Sequence, residues 1–408
     1  MSLAEFPLAL VLAGLVAYAV LAGADFGAGF WMLFAGRRAH EVREHAHRAM
    51  APVWEANHVW LIFVLVVFWT AYPTAFGSIA STLTVPLFLA AVGIILRGGT
   101  YVLRAAAGIS RLGSAADVVF ALSSILTPFA LGAVAGGIAS GRVPVGNAEG
   151  SLVTSWLNPL SAMIGGIAVV TGAYLAAVYL AADAGRLADD RLSAAFRFRA
   201  LAAGSVAGAF ALGGLAVVRS DAPSLWSGLV HGAGLACVVV SGVAGLATLA
   251  LVFAGRFELA RVTAAAAVAA VVVGWALAQR PLLLPPGLSI DEAAAGHSTL
   301  VALAVVAGIS AVVLVPALAL LFALLLRGRF DLPRRGEPRA RPSRTRLRPS
   351  NLFIRVAASG FVGGATVLVL GDAGWARGLG AGVMLASVAV GFTQLAVPPS
   401  EPTQESSP

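Results

Sequence analysis

Two short segments place acids inside otherwise apolar runs. Asp25 lies in Gly23-Ala24-Asp25-Phe26-Gly27, and Glu55 lies in Pro52-Val53-Trp54-Glu55-Ala56-Asn57-His58-Val59-Trp60. Arg97 closes a third apolar run. An ionisable group at membrane depth is costly and points to function by default. Carboxylates and imidazole can pass protons along a hydrogen-bonded chain. Burial favours the neutral form of a carboxylic acid, which brings its proton exchange toward neutral pH. Asp25 and Glu55 are therefore candidate proton relays, with Arg97, Asn57 and His58 in support. The alternative is a buried acid–arginine pair that only fixes helix packing. Residue types alone leave both readings open.

Other chemistry is sparse. His58 could ligate haem iron, although a lone histidine at a helix start is more often an interfacial hydrogen-bonding residue. His40, His45 and His47 have metal-like spacing, but they sit in the charged stretch Arg37–Arg48 and read as a solvated loop. His231 and His297 stand near helix ends without a visible partner. Cys237 is the single cysteine; it excludes an intrachain disulfide and a multi-thiolate metal site and reads as core packing. No nucleotide loop, nucleophile elbow or zinc motif is present, and no metal site is expected.

The elements that must position these residues are helices. Of 408 residues, 59% are hydrophobic and only 11% are charged, against about a quarter charged in soluble domains. Apolar blocks of about 20 residues have the length of a membrane-crossing helix. A membrane barrel would show alternating segments of about 10 residues, whereas Val262–Leu277 and Val301–Leu326 are apolar on every face. The fold class is an all-α polytopic membrane bundle. Nine core helices are predicted at Phe6–Phe34, Val53–Ala71, Phe76–Leu96, Ala116–Ala139, Trp156–Ala182, Phe198–Val218, Trp226–Phe253, Val262–Gln279 and Ser298–Leu326, as two four-helix bundles plus one. Residues 1–326 form the core. A basic, proline-containing linker follows at 327–350, then an additional transmembrane hairpin at 351–397, with glycine-rich segments Leu352–Leu370 and Ala376–Val397. A polar tail at 398–408 has the composition of disorder. The first segment has Glu5 before it and no basic region, so it reads as a retained helix and not a cleaved signal.

Orientation follows from arginine, which supplies all 27 basic residues. A formal charge of +8 could suggest nucleic acid, but the excess of basic residues on the cytoplasmic side of membrane proteins explains it more simply. With the N-terminus outside, the inside connections hold Arg37, Arg38, Arg43, Arg48, Arg97, Arg104, Arg111, Arg186, Arg191, Arg197, Arg199, Arg256 and Arg261, and the stretch Arg327–Arg355 adds ten more. Arg142, Arg219, Arg280 and Arg377 fall outside, a split of 23 to 4. Asp25, Glu55 and Arg97 then lie near the cytoplasmic ends of neighbouring helices. Pairs of glycines four residues apart (Gly23 with Gly27, Gly132 with Gly136, Gly204 with Gly208) allow close helix contact in lipid.

The segments around Asp25 and from Pro52 through Ile62 resemble subunit II of the cytochrome bd-type quinol oxidases. Further agreement lies at Trp156-Leu157-Asn158-Pro159, at Leu284-Pro285-Pro286 through Ser289-Ile290 and Ala293-Ala294-Ala295, and at His297-Ser298-Thr299-Leu300. The resemblance runs from about Phe6 to about Leu326. It implies a multi-pass protein of a prokaryotic plasma membrane, paired with a haem-bearing subunit I that holds haem b and haem d and oxidises quinol. Subunit II itself ligates no haem in this family. The resemblance also implies that acids at the positions of Asp25 and Glu55 serve proton delivery from the cytoplasm for reduction of oxygen to water. Trp54 and Trp60 would pack against the partner or contact quinone or lipid. The extra 82 residues after Leu326 depart from the family pattern. Their arginines could meet anionic lipid headgroups, although the positive-inside rule suffices.

The leading expectation is thus subunit II of a bd-type quinol:oxygen oxidoreductase, joined by subunit I, membrane lipid, quinol and a possible small accessory subunit, and not by nucleic acid. The rivals are a secondary transporter and a purely structural assembly subunit. A transporter would favour an internal repeat and buried groups at the membrane midplane; no convincing repeat is seen.

Overall fold

The computed structural model describes residues 2–35, 39–50, 54–107 and 111–326, together with part of 356–387. The chain divides into two compact units, 1–327 and 328–408. The first contains α1 (Phe6–Leu33), α2 (Ala39–Met50), α3 (Trp54–Ala71), α4 (Pro73–Thr82), α5 (Thr84–Ala107), α6 (Arg111–Ala139), α7 (Pro159–Arg186), α8 (Asp190–Asp221), α9 (Pro223–Leu229), α10 (Gly232–Phe253) and α11 (Phe257–Gln279). A small antiparallel hairpin, β1 (Leu282–Leu284) and β2 (Leu288–Ser289), leads through α12 (Ile290–Ala293) to α13 (His297–Leu326).

Among the described residues, seven helices are long and apolar enough to cross a bilayer, and the bent pair α4–α5 would make an eighth. The remaining apolar helix, Asn57–Ala71 within α3, is shorter. Two predicted helices are broken. The segment Phe76–Leu96 bends by 83° between α4 and α5, where Leu83 ends the first helix by bonding back to the Ile79 carbonyl. The segment Trp226–Phe253 is split into α9 and α10 at His231-Gly232, where Gly232 adopts φ +54°. That conformation is strained for residues with a Cβ.

α7 lies at the centre, packed against α1, α6, α8 and α11. α1, α3, α5 and α6 form one group of helices; α7, α8, α10 and α11 form the other; α13 rests against α3 and α1. Glycine makes the central crossing possible. A Cβ on Gly27 of α1 would run into the Gly172 carbonyl of α7, and one on Gly136 of α6 would run into Ser161. A Cβ on Gly132 would come within 2.8 Å of Gly165. The predicted pair Gly204/Gly208 is only half used: Gly204 faces Leu249 and Tyr174, while Gly208 faces open space. Cys237 packs at the crossing of α10 and α11, with its Cβ opposite Gly274.

Several residues in the segments that resembled the oxidase family away from the acids make helix caps and a loop tie. Asn158 caps α7 by accepting from the Ser161 amide at 2.9 Å, with Pro159 opening the helix. Ser289 and Glu292 form a reciprocal capping box on α12, satisfying amides that a helix start leaves open. The Ala295 amide then bonds the Ala71 carbonyl at 2.8 Å, tying this loop to the end of α3. In the second unit, the described residues within 356–367 and 375–387 are helical. Gly364 faces the Gly380 carbonyl and Met384, and Gly360 faces Ser387.

Candidate buried acid–arginine site

Asp25 lies about two turns before the end of α1, roughly 12 Å along its axis at 1.5 Å per residue. Arg97 is on α5, which continues to Ala107. The arginine therefore does not end its helix, contrary to the sequence reading. The reason is local: its charge is met by protein groups inside the bundle. Arg97 Nη2 donates to Asp25 Oδ1 at 2.7 Å and to the Asp25 carbonyl at 2.9 Å. Nη1 donates to Ser124 Oγ on α6, and Ser124 Oγ donates in turn to the Phe120 carbonyl at 2.6 Å. The guanidinium carbon lies 4.2 Å from the Phe120 ring centre and 4.9 Å from that of Phe26. These are attractive cation–π distances. Asp25 is 3% exposed and Arg97 1%, so their attraction acts with little screening by water or salt.

Gly29 makes room for this pair. A Cβ there would overlap Ser124 Oγ and come within 3.0 Å of Arg97 Nη1. Small residues on α1 thus let α6 and the long arginine side chain of α5 reach the same point.

α3 brings the third group of side chains. Asn57 is buried and donates to the Leu21 carbonyl at 3.4 Å. The His58 ring stacks on Phe26, with centres 5.9 Å apart and planes at 27°, and lies 6.1 Å from the Tyr18 ring. Trp60 packs beside Tyr18, Ala22 and Phe26 and meets Phe63 edge-on at 6.4 Å. Asp25, Arg97, Asn57 and His58 are therefore gathered in one region. The side chains of Trp54 and Glu55 lie outside the described residues; their backbone forms the first turn of α3.

Asp25 Oδ2, both nitrogens of His58 and the Tyr18 hydroxyl are buried without a hydrogen-bond partner among the described residues. The site thus combines a fixed ion pair with nearby polar atoms still able to bond. That arrangement can hold water and pass protons. It is poorly suited to iron ligation, because Phe26 and Tyr18 lie against the His58 imidazole and take up space a macrocycle would need. Among the described residues, no group of three or more His, Cys, Asp or Glu could hold a metal ion.

His45 departs from its expected solvated loop. It lies on the helix α2, 4% exposed, with Nε2 3.1 Å from the Leu180 carbonyl and its ring 5.7 Å from Phe196. Val42 and Ala46 on the same helix join the core, so one side of this charged segment packs inward. His231 also has a partner: Nδ1 lies 2.8 Å from the Ser227 carbonyl.

Sequence reasoning missed Tyr18, Ser124 and Phe120. Tyr18 had a usable signal, since it stands seven residues, two helical turns, before Asp25 and shares its face. Ser124 and Phe120 had none, because only the packing of α6 against α5 brings them to Arg97.

Comparison with known proteins agrees with this architecture. The family described as cytochrome bd terminal oxidase subunit II matches residues 3–325. A Bacillus subtilis (strain 168) protein provisionally named cytochrome bd menaquinol oxidase subunit II is 27% identical over 226 residues, 52% of this chain and 62% of that protein. Another from the same organism, named cytochrome bd ubiquinol oxidase subunit 2, is 27% identical over 117 residues, 29% of this chain and 34% of that protein. The matches thus span less than two thirds of either curated relative. A chain of the bd oxidase structure from Geobacillus thermodenitrificans has the same fold, with a TM-score of 0.63 and 24% identity, covering 81% of this chain and all of that one. With the family matched across nearly all of the first unit, the chain belongs to the cytochrome bd terminal oxidase subunit II family.

Proposed function

We propose that this chain acts within a quinol:oxygen oxidoreductase of the cell membrane, bracing a haem-bearing subunit I and helping deliver protons from the cytoplasm. Family membership supports the assembly and sets the transporter reading aside. The observation that carries the proton role is the buried Asp25 carboxylate, held by Arg97 through one oxygen while the other has no partner among the described residues. The arginine skew supports an outside N-terminus, which puts this end of α1 toward the cytoplasm.

In this reading Arg97 fixes the Asp25 carboxylate and offsets its charge, and Asn57 anchors α3 against α1. Glu55, in the first turn of α3, takes up protons from the cytoplasmic side and hands them toward Asp25. The haems b and d, held by subunit I, supply electron transfer and oxygen reduction; quinol is the electron donor. Trp54 and Trp60 serve contact with the partner, quinone or lipid. The glycine-mediated approach of the two tail segments supports an additional transmembrane hairpin at 351–397.

Detergent extraction of the tagged chain tests the assembly: a second subunit with d-type haem absorbance is expected, and a colourless monomer would contradict it. In the assembled complex, Glu55→Ala is expected to lower oxygen consumption and acidification of the outside together. Unchanged values with normal assembly would leave the subunit a purely structural role.

A further inference from the structure

Asp25 and two side chains near the ion pair carry polar atoms that no described residue satisfies. Asp25 Oδ2, His58 Nδ1 and Nε2, and Tyr18 Oη are all buried and lack a hydrogen-bond partner among the described residues. Buried polar atoms are nearly always satisfied, by protein or by ordered water, and waters typically fill a site that offers several polar partners. Tyr18 is only 8% exposed, so bulk solvent does not satisfy it.

The three groups are gathered along one stretch of α1. Asp25 and Tyr18 occupy the same face of α1, two turns or about 10 Å apart. The His58 ring lies against Phe26, next to Asp25 in the chain, and 6.1 Å from the Tyr18 ring. The imidazole thus touches two side chains of the α1 segment that carries Asp25. Tyr18 falls near the middle of α1. Imidazole and phenol each accept a proton on one lone pair and release one already held.

We infer that His58 and Tyr18, bridged by ordered water, extend the proton route from Asp25 along α1 to the middle of the membrane. This extension rests on the proposed proton role of Asp25. Each transfer takes a proton onto the imidazole or the hydroxyl as another leaves it, so neither group retains charge. His58 and Tyr18 are relay groups here, and Phe26 holds the imidazole in place.

The test compares Tyr18→Phe, His58→Phe and Asp25→Asn in the assembled oxidase, reading quinol-driven oxygen consumption in H2O and D2O. Tyr18→Phe removes one hydroxyl and keeps the ring packing. It is expected to slow turnover about three- to tenfold, the scale of one lost hydrogen-bonded step, with a larger solvent isotope effect. His58→Phe is expected to behave likewise. If both keep the parental rate and isotope effect while Asp25→Asn is slow, the extension is wrong and the Asp25 role stands. If Asp25→Asn is also unchanged, both fall. Slower turnover with an unchanged isotope effect would reduce Tyr18 to a packing residue and overturn the extension. Should the variants fail to assemble, a high-resolution map of the unaltered complex decides. Ordered water within hydrogen-bond reach of Tyr18 Oη and His58 is expected; a map that resolves other buried waters and none here overturns the proposal.

Discussion

The Asp25–Arg97 pair and the Arg142–Asp221 pair use the same two functional groups in opposite ways. At one end of the bundle, Arg142 grips Asp221 with both fork nitrogens, at 2.7 and 2.6 Å, and the arginine side chain is 36% exposed. Both carboxylate oxygens are used. In the buried pair one Asp25 oxygen bonds Arg97 and the other has no partner among the described residues, with the arginine's second arm on Ser124. A saturated, partly wet pair fastens a helix end. A half-used, buried pair is poor fastening, since burying charges costs several kcal/mol per ion before their attraction is counted. What it gains is a carboxylate held in place with one oxygen available.

The largest expected effect comes from breaking the buried pair at one side. Arg97→Leu leaves the Asp25 charge buried and should destabilise the subunit by about 3–5 kcal/mol, read as a loss of assembled complex and a lower melting temperature. Adding Asp25→Leu should restore most of that stability, because an apolar pair of similar volume is often neutral, yet proton uptake should stay impaired. Recovery of both would erase the distinction between the pairs. Next in size is Gly29→Ala, whose methyl group meets Ser124 and Arg97; overpacking of this kind costs about 1–3 kcal/mol, visible as a drop in melting temperature. Arg142→Ala should cost at most about 1 kcal/mol, since exposed pairs are screened, and should leave oxygen consumption intact.

The smallest effect lies in the loop between α11 and α13. Bonds from the Ser289 hydroxyl and amide hold the Glu292 carboxyl below the usual carboxylate range. A depressed value means that the cap is favoured at neutral pH and is lost as pH falls through the folded value. Amide exchange at Ser289 should therefore quicken in acid relative to the pH trend of neighbouring amides, and Glu292→Gln should remove that dependence.

Much of this arrangement was legible in the sequence. The apolar block lengths gave a helical membrane bundle, and the rarity of buried ionisable groups singled out Asp25 and Arg97. Gly27 announced a close helix crossing through its spacing with Gly23, although its partner Gly172 could come only from packing. The bend at Leu83 was hidden, because the residues on both sides are apolar and a broken helix has the same composition as a straight one. Arg97 was placed at a helix end for a related reason. A charge reads as a boundary until the structure shows that Asp25, Ser124 and two aromatic rings receive it inside. His45 was misjudged because charged neighbours mask a helix side, with Val42 and Ala46, that is packed.

Proton uptake during a single turnover tests the role of the Asp25 carboxylate most directly. Fully reduced complex carrying Asp25→Asn, which keeps an acceptor for Arg97 but cannot ionise, would be mixed with oxygen in vesicles containing a pH-sensitive dye on the cytoplasmic face. Oxygen binding is expected at the parental rate, followed by proton uptake delayed by about a hundredfold, the lower range for a lost proton-transfer group. Uptake at the parental rate in a fully assembled complex would contradict a proton role for this acid.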